Sequence, residues 1–153
     1  MPGPLDGIRI LDLSAVISGP FGTMILADQG ADVIKVEPPG RGDFTRSAGN
    51  KSGGLSASFL NNNRNKRSIT LDLKSPAGVD VVKRLAAISD VVVQNFRPGV
   101  VERLGVGEDD LRLVKPDIIY VSISGYGETG PFSDRPVYDP IIQALSGLAS
   151  IQG

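Results

Sequence analysis

Short apolar segments of strand character alternate with segments of helical periodicity along this chain, and this alternation constrains the fold more than any other feature. Strands joined by helices cross over in one direction and favour parallel pairing. The pattern therefore predicts an α/β domain with a mainly parallel sheet. The predicted strands lie at 7–14, 31–37, 66–74 and 91–96, with one more from 117 onward; the predicted helices lie at about 20–29, at 75–90, twice between 100 and 115, and at 140–152.

One long segment of the chain does not fit a simple alternation of strands and helices. Residues 38–65 are rich in Gly and Pro and read mostly as loop, with a short helix near 55–61. A loop of this length in a compact domain is unusual unless it binds something.

The last segment, 140–152, has an apolar helical face formed by Ile141, Leu145, Leu148 and Ala149. A helix with such a face packs against another surface. Either that surface lies upstream, or the chain is part of a larger protein.

Composition excludes several kinds of chemistry. The 153 residues suffice for one ordinary domain, and they contain neither Cys nor His. Disulfides, thiolate metal sites, Cys nucleophiles and His bases are therefore excluded, and we expect no metal. The net charge of -1 gives no field that would recruit nucleic acid or a membrane surface. With no secretory pattern at the start and no long apolar run, we expect a soluble cytoplasmic protein.

The first candidate site is the segment "SAVISGPFG", residues 14–22, at the end of the first predicted strand. Ligands of open α/β sheets bind outside the carboxyl ends of the strands, where the amides of a helix N-terminus favour an anion or an oxyanion. The glycine spacing does not match a dinucleotide-binding fingerprint. A tight strand-to-helix turn without a ligand explains the same pattern.

Cations supply the next two candidates. Arg64, Lys66, Arg67 and Lys74 fall within fourteen residues and predict a basic patch suited to phosphate, although solvated surface explains most such runs. Arg97 ends a strand and Arg103 lies on the helix that follows. Both arginines either reach the ligand crevice or pair with nearby carboxylates, chosen from Glu102, Glu108 and Asp109.

The fourth candidate is the Gly-rich segment 122–139, which ends in Tyr138 and Asp139. A strand precedes this segment, so its loop opens at the same edge of the sheet as the first candidate. Loop carboxylates usually face solvent, and the site interpretation depends on convergence with the other three candidates.

Taken in order, these segments resemble the family III CoA-transferases, over nearly all of the chain. The resemblance is carried by "GIRILDLS", "SGPFGTMILADQGADVIKVEPPGRGDFTR", "NNNRNKRSITLDLK", "DVVVQNFRPGVVERLG", "KPDIIYVSISGYGETGP" and "YD". It implies a Rossmann-like, three-layer large domain, a smaller domain and an interlocked homodimer. Residues 1–153 would be the N-terminal portion of the CoA-binding large domain, without the remainder of that domain or the small domain.

The resemblance also implies a reaction, in which CoA moves from an acyl-CoA to a carboxylic acid. In the family an aspartate attacks the thioester, and the reaction passes through a mixed anhydride and an aspartyl-CoA thioester. That aspartate belongs to a segment beyond residue 153, so the isolated chain is expected to be inactive. By similarity, Tyr138 and Asp139 lie near the thioester.

The coenzyme A contacts implied by resemblance fall on two sets of residues. The loop lining the thioester corresponds to Val16, Ile17, Ser18, Gly19 and Pro20, and the cations near the adenosine and phosphate groups correspond to Lys74, Arg97 and Arg103. Two positions depart from the formyl-CoA branch, Ile17 in place of Gln and Pro38 in place of Arg. These departures argue against oxalate and formyl substrates and point to Arg41 or Arg46 for part of the phosphate binding.

Three alternatives stay open. In the racemase branch a His occupies the position of Tyr138, and tyrosine is a poor base near neutral pH, so transfer is favoured over acyl-CoA racemisation. The chain could also be a stand-alone CoA-binding module or one half of a split enzyme.

Overall fold

The computed structural model describes residues 3–152, whose secondary structure follows the predicted alternation. The strands are β1 (Arg9–Asp12), β2 (Asp32–Glu37), β3 (Lys51–Ser52), β4 (Leu55–Ser56), β5 (Lys66–Thr70), β6 (Val91–Gln94) and β7 (Ile119–Ser122). The helices are α1 (Ser18–Asp28), α2 (Ala57–Asn63), α3 (Pro76–Ala87), α4 (Val100–Leu104), α5 (Glu108–Arg112), α6 (Asp139–Leu145) and α7 (Leu148–Ile151), with a 3-10 turn at Phe44–Arg46.

Five strands form a parallel sheet in the order β5-β2-β1-β6-β7. At the centre of the sheet, Leu11 of β1 lies beside Ile34 of β2 on one side and beside Val92 of β6 on the other. Since all five strands point the same way, the loops that follow them open at one edge. The predicted α/β fold with a mainly parallel sheet is confirmed.

Apolar side chains cover both faces of this sheet and make a three-layer domain. On one face Leu11, Ile34 and Val92 pack against α3, α4 and α5, which contribute the buried Val82, Val101 and Leu111 respectively. On the other face a smaller cluster joins α1 to the sheet; it contains Ile10, Ala27, Ala31, Val33 and Val93. Burying each large apolar side chain contributes about 1.5–3 kcal/mol. The apolar side chains on the two faces of the sheet therefore stabilise the helix layer that packs on each face.

Local signals set the helix boundaries. The Ser75 hydroxyl accepts a hydrogen bond from the Gly78 amide at 3.1 Å and Pro76 opens α3, as predicted. Helix α1 begins at Ser18, two residues before the predicted start, so Gly19 and Pro20 lie in its first turn. A proline is tolerated there because first-turn amides have no partner within the helix.

The 38–65 segment is mostly loop, as predicted, but it contains more structure than the sequence indicated. A two-stranded hairpin of β3 and β4 precedes α2, which packs against α1. The Asp43 side chain caps the 3-10 turn by accepting a hydrogen bond from the Thr45 amide. This segment therefore folds back over the end of β2.

The predicted single helix at 140–152 is wrong. Gly147 adopts a left-handed conformation with φ 80° and separates α6 from α7. Neither short helix contains a buried residue, and Ile141, Leu145 and Leu148 are exposed.

Of the helices described between residues 3 and 152, none is both long enough and apolar enough for a membrane crossing.

Two helical glycines give opposite predictions for stability. A Cβ at Gly78 would lie 2.0 Å from the carbonyl oxygen of Asp72. At Gly22 in α1, a Cβ would have no described atom within 4 Å apart from its own helix and chain neighbours. We expect Gly78→Ala to lower the free energy of unfolding by about 1–3 kcal/mol, and Gly22→Ala to raise it by up to about 1 kcal/mol.

Urea unfolding of the parent and both variants in one buffer measures these changes in the free energy of unfolding. A Gly78→Ala variant as stable as the Gly22→Ala variant would contradict the close approach of Asp72 to α3.

Candidate functional site

The order of the sheet reverses between β1 and β6, and this reversal locates the crevice where open α/β sheets bind ligands. The chain leaves β1 toward β2 on one side, and it leaves β6 toward β7 on the other. Two segments border the crevice. They are residues 14–17, which we call the switch-point loop, and residues 95–99 after β6.

Asn95 ties these two segments together. Its side-chain oxygen accepts a hydrogen bond from the Ala15 amide at 2.9 Å, and its side-chain nitrogen donates to the Ala15 carbonyl at 2.8 Å. The same nitrogen lies 3.4 Å from the Ser18 hydroxyl. One side chain therefore satisfies both backbone groups of Ala15 across the crevice.

Val16 occupies an unusual conformation in the switch-point loop. Its φ of 70° lies in the left-handed region, which β-branched residues rarely adopt. Its amide donates to the carboxylate of Asp43, with the nearer oxygen at 3.2 Å. Such backbone strain costs about 1–3 kcal/mol, and it persists only where surrounding contacts impose it.

The predicted thioester loop, residues 16–20, is continuous in the structure and opens α1. Its amides are not equivalent, because Val16 already donates to Asp43 and Pro20 has no N–H. Within residues 3–152, the amides of Ile17, Ser18 and Gly19 donate no hydrogen bond. These three amides are the unpaired donors at this helix N-terminus, where an anion or an oxyanion is favoured. Ile17 and Ser18 are exposed, whereas Gly19 is buried.

Two fully buried ion pairs lie directly beneath this loop. Asp12 of β1 pairs with Lys66 of β5 at 2.9 Å, and Lys35 of β2 pairs with Asp43 at 2.9 Å. Every one of these four side chains is at most 2% exposed. The Lys35 ammonium also donates to the Ser14 carbonyl at 2.8 Å.

Hydrogen bonds complete the surroundings of each charge. Asp12 accepts from the Ser14 amide at 3.0 Å and from the Thr23 hydroxyl at 2.7 Å, while Lys66 also donates to the carbonyl of Pro20 at 2.8 Å and the side chain of Asn63 at 3.0 Å. No buried side-chain nitrogen or oxygen among the described residues lacks a partner. Burial lowers the pKa of Lys66, although the neighbouring Asp12 charge opposes this effect. Burial would raise the pKa of Asp43, but hydrogen bonds from Thr45 and Lys35 outweigh it and lower that pKa.

A third pair joins Glu37 to Arg46 at the end of β2. The guanidinium donates two hydrogen bonds of 2.6 Å to the Glu37 carboxylate and lies 3.8 Å above the ring of Phe59. Burial would raise the pKa of Glu37, but bonds from Arg46, the Ser68 hydroxyl and the Asp43 amide lower it to about 2. Arg46 is therefore committed to an internal contact.

A shallow cleft of about 250 Å³ adjoins this pair. Arg41 lines the cleft together with Gly40 and Gly42, and it forms no ion pair within the described part of the chain. Of the two arginines proposed for phosphate from the sequence, Arg41 is the one left free.

Three of the four cations in the predicted basic patch, residues 64–74, form ion pairs within the chain, and one of them, Lys66, is fully buried. Arg64 pairs with Asp28, Lys66 with Asp12, and Arg67 with Asp32. The partner carboxylates are distant in sequence, on β1, α1 and β2, and the sheet brings them together. Lys74 alone of the four forms no ion pair among residues 3–152.

Lys74 and Arg103 lie at one cleft of about 400 Å³ between the start of α3 and α4. Its apolar lining includes Leu73, Val79 and Leu104. The two cations over an apolar floor suit a ligand with a flat ring and phosphate groups. Arg97 is exposed after β6 and is not among the residues that line this cleft.

Neither Arg97 nor Arg103 pairs with a carboxylate in the described structure, and Glu108 pairs with Arg112 at 2.8 Å instead. Tyr138 is 73% exposed and immediately precedes α6, whose first residue is Asp139. The Asp139 carboxylate accepts a hydrogen bond from Gln143. Both residues follow the loop that leaves β7, and their role at a thioester stays a prediction.

Comparison with known proteins identifies the family. A sequence profile for CoA-transferase family III matches residues 5–153. The chain belongs to the family III CoA-transferases. It is 54% identical to mouse succinyl-CoA:glutarate CoA-transferase over 151 residues, which are 98% of this chain and 35% of that protein. It is 46% identical to acetyl-CoA:oxalate CoA-transferase of Acetobacter aceti, covering 99% of this chain and 39% of that protein.

Solved structures agree with the family III assignment. A CAIB/BAIF family protein from Brucella suis superimposes with a TM-score of 0.91 at 41% identity, covering 96% of this chain and 40% of that one. Rv3272 from M. tuberculosis gives a TM-score of 0.89 at 43% identity and similar coverage. The chain thus spans between a third and two fifths of the length of these relatives.

Sequence reasoning missed the buried charges and Asn95. The available signal was a charged residue inside an otherwise apolar strand, as with Asp12 in "RILD" and Lys35 in "DVIKVE". Lys and Asp are almost never fully buried without a partner, so each such residue implies a distant one of opposite charge.

The lowered pKa of Glu37 predicts a specific loss of stability in acid. Its folded-state pKa of about 2 lies below the ordinary value of 4.5, so its contribution is complete above pH 4.5 and disappears as the pH falls toward 2. This linkage is worth up to about 3 kcal/mol. We expect the free energy of unfolding to fall less steeply between pH 4.5 and 2 in Glu37→Gln than in the parent.

Glu108→Gln is the matched control, because Glu108 is half exposed in a surface pair. Identical acid dependence of the Glu37→Gln variant and the parent would show that the Glu37–Arg46 contact does not hold in solution.

Proposed function

We propose that this chain is the N-terminal portion of the large domain of a CoA-transferase that moves CoA from an acyl-CoA to a carboxylic acid. The observation that carries the proposal is the 54% identity to mouse succinyl-CoA:glutarate CoA-transferase across 98% of the chain. The remainder of the large domain, a small domain and the homodimer partner would lie outside residues 1–153. Coenzyme A, as its thioester, is the substrate that binds.

The free amides at the switch point support a role in the chemical step. In the proposed reaction an aspartate beyond residue 153 attacks the thioester carbonyl and forms a tetrahedral intermediate. Amides of Ile17, Ser18 and Gly19 are the available donors for its oxyanion, and such donors contribute about 3–4 kcal/mol each. Collapse expels the CoA thiolate and leaves a mixed anhydride.

The remaining steps balance without a metal or a redox partner. The thiolate attacks the aspartyl carbonyl of the anhydride, releases the first carboxylate and forms an aspartyl-CoA thioester. The acceptor carboxylate then attacks that thioester, expels the CoA thiolate and forms a second mixed anhydride with the aspartate. The thiolate attacks the acceptor carbonyl of this anhydride, forms the new acyl-CoA and releases the aspartate as a free carboxylate. Tyr138 and Asp139 are proposed to line the site near the thioester, and Arg97 to contact CoA.

The names of the relatives support a class of substrate. Besides those above, a relative from Chloroflexus aurantiacus at 45% identity is a succinyl-CoA--L-malate CoA-transferase subunit, and one from Agrobacterium fabrum at 46% is a succinate--glutarate CoA-transferase. Glutarate, malate and succinate are dicarboxylates, as is the oxalate named for the Acetobacter aceti relative, although Ile17 and Pro38 argue against oxalate itself as the acceptor of this protein. We therefore propose succinyl-CoA as donor and a dicarboxylate such as glutarate as acceptor.

Transfer itself is tested with the complete protein that carries this chain. Incubation with succinyl-CoA and glutarate should produce glutaryl-CoA and succinate in equal amounts, measured by mass spectrometry. Peptide mapping after hydroxylamine treatment should locate the modified aspartate outside residues 1–153.

Three other results would contradict the proposal. Deuterium wash-in at the α-carbon of an acyl-CoA, without transfer, would assign a racemase. CoA binding without turnover would assign a binding module. An acyl or CoA adduct on an aspartate within residues 1–153 would place the nucleophile in this chain.

The cleft with Lys74 and Arg103 generates a separate prediction about affinity. Arg103→Ala should weaken CoA binding by about 1–3 kcal/mol, because a charge-assisted contact to phosphate is lost. Calorimetric titration with CoA measures this change. Arg112→Ala is the control, since Arg112 pairs with Glu108 and is not among the residues that line the cleft. Equal CoA affinity of the two variants would exclude this cleft from CoA binding.

A further inference from the structure

The strained conformation of Val16 needs a source of free energy. A β-branched residue at φ 70° is disfavoured, and Val16 is 37% exposed and not part of either buried apolar cluster. The contacts that hold this conformation include hydrogen bonds between side chains and the backbone of the switch-point loop.

Asp43 supplies such a contact from a fixed position. Its carboxylate accepts hydrogen bonds from the amide of Thr45 at 2.9 Å and its hydroxyl at 2.7 Å, and it pairs with Lys35 at 2.9 Å. These partners hold the carboxylate, which is buried, independently of the loop. The Val16 amide then meets an acceptor that is already in place.

Lys35 holds the loop from the other side of Ala15. The ammonium that pairs with Asp43 also donates to the Ser14 carbonyl at 2.8 Å, and it is 2% exposed. One ion pair thus fixes the carbonyl two residues before Val16 and the amide of Val16 itself. The next amides along the chain, those of Ile17, Ser18 and Gly19, are the free donors of the crevice.

We propose that Lys35 and Asp43 are positioning residues for CoA transfer: their buried ion pair holds Val16 in the left-handed conformation and so orients the amides that follow it. This inference rests on the proposed function. Neither residue is assigned contact with the substrate. A preorganised set of donors needs no reorganisation during the reaction, and a small displacement of such donors costs rate rather than affinity.

A double-mutant cycle between positions 43 and 16 of the complete protein tests the proposal. Asp43→Asn removes the charge that holds Lys35, and Val16→Gly removes both the strain and the stiffness of the loop. Each single variant should lower kcat about 10- to 100-fold while KM for acyl-CoA changes less than about threefold. The double variant should lower kcat by a smaller factor than the product of the two single reductions, because both substitutions loosen the same loop.

Stability distinguishes positioning from a purely structural role. Val16→Gly should unfold at the same or a higher urea concentration than the parent, since the strain is relieved, and yet lose turnover. Asp32→Asn is the matched control: it breaks the pairs with Arg9 and Arg67 at the opposite end of β2, and kcat of the folded protein should stay unchanged.

Three results would overturn the proposal. They are parent-like kcat in folded Asp43→Asn, parent-like kcat in Val16→Gly, or effects that multiply exactly in the double variant. If Asp43→Asn does not fold, kcat of Val16→Gly decides alone. If the parent transfers no CoA, the proposed function fails, and hydrogen exchange of residues 15–19 in Asp43→Asn then tests the loop contact: unchanged exchange rates overturn it.

Discussion

Two charges in the middle of an apolar sheet impose the main constraint on this domain. Asp12 and Lys35 are paired in the register of β1 and β2, and both are completely enclosed. They do not neutralise each other; each takes its partner from another segment. Removing one member of a buried pair costs about 3–5 kcal/mol, so both partners must arrive before the fold is stable.

The partners of these two buried charges lie on other segments of the chain, one of them outside the sheet. Lys66 reaches Asp12 from the edge strand β5, and Asp43 reaches Lys35 from the long segment that follows β2. The Gly-rich segment 38–65 is therefore not a free excursion. Its first part is anchored under the switch-point loop, where Asp43 binds Val16, and Arg46 closes over Glu37.

Side chains that lie below the switch-point loop hold its backbone in place. Ser14, Ala15 and Val16 each have a backbone group held by a different side chain, from Lys35, Asn95 and Asp43 respectively. The residues after them remain free to meet a ligand. The proposed CoA transfer would need hydrogen-bond donors at the thioester, and the unpaired amides after Val16 are the candidates for that role.

Sequence predicted the parts of this structure that depend on local periodicity. The five strands of the main sheet, their parallel pairing and the Ser75 cap of α3 follow from patterns a few residues long. Contacts across long sequence separations were not predictable: Lys66 and Arg67 read as a phosphate patch because Asp12 and Asp32 lie far upstream. The break at Gly147 was missed because an apolar helical face masked a glycine that adopts positive φ.

A structure of the complete protein with an acyl-CoA bound tests the central claim most directly. The account predicts that the thioester oxygen accepts a hydrogen bond from the amide of Ile17, Ser18 or Gly19, while Val16 keeps its positive φ and its bond to Asp43. A thioester bound away from the crevice between β1 and β6, or a Val16 released from Asp43, would contradict it.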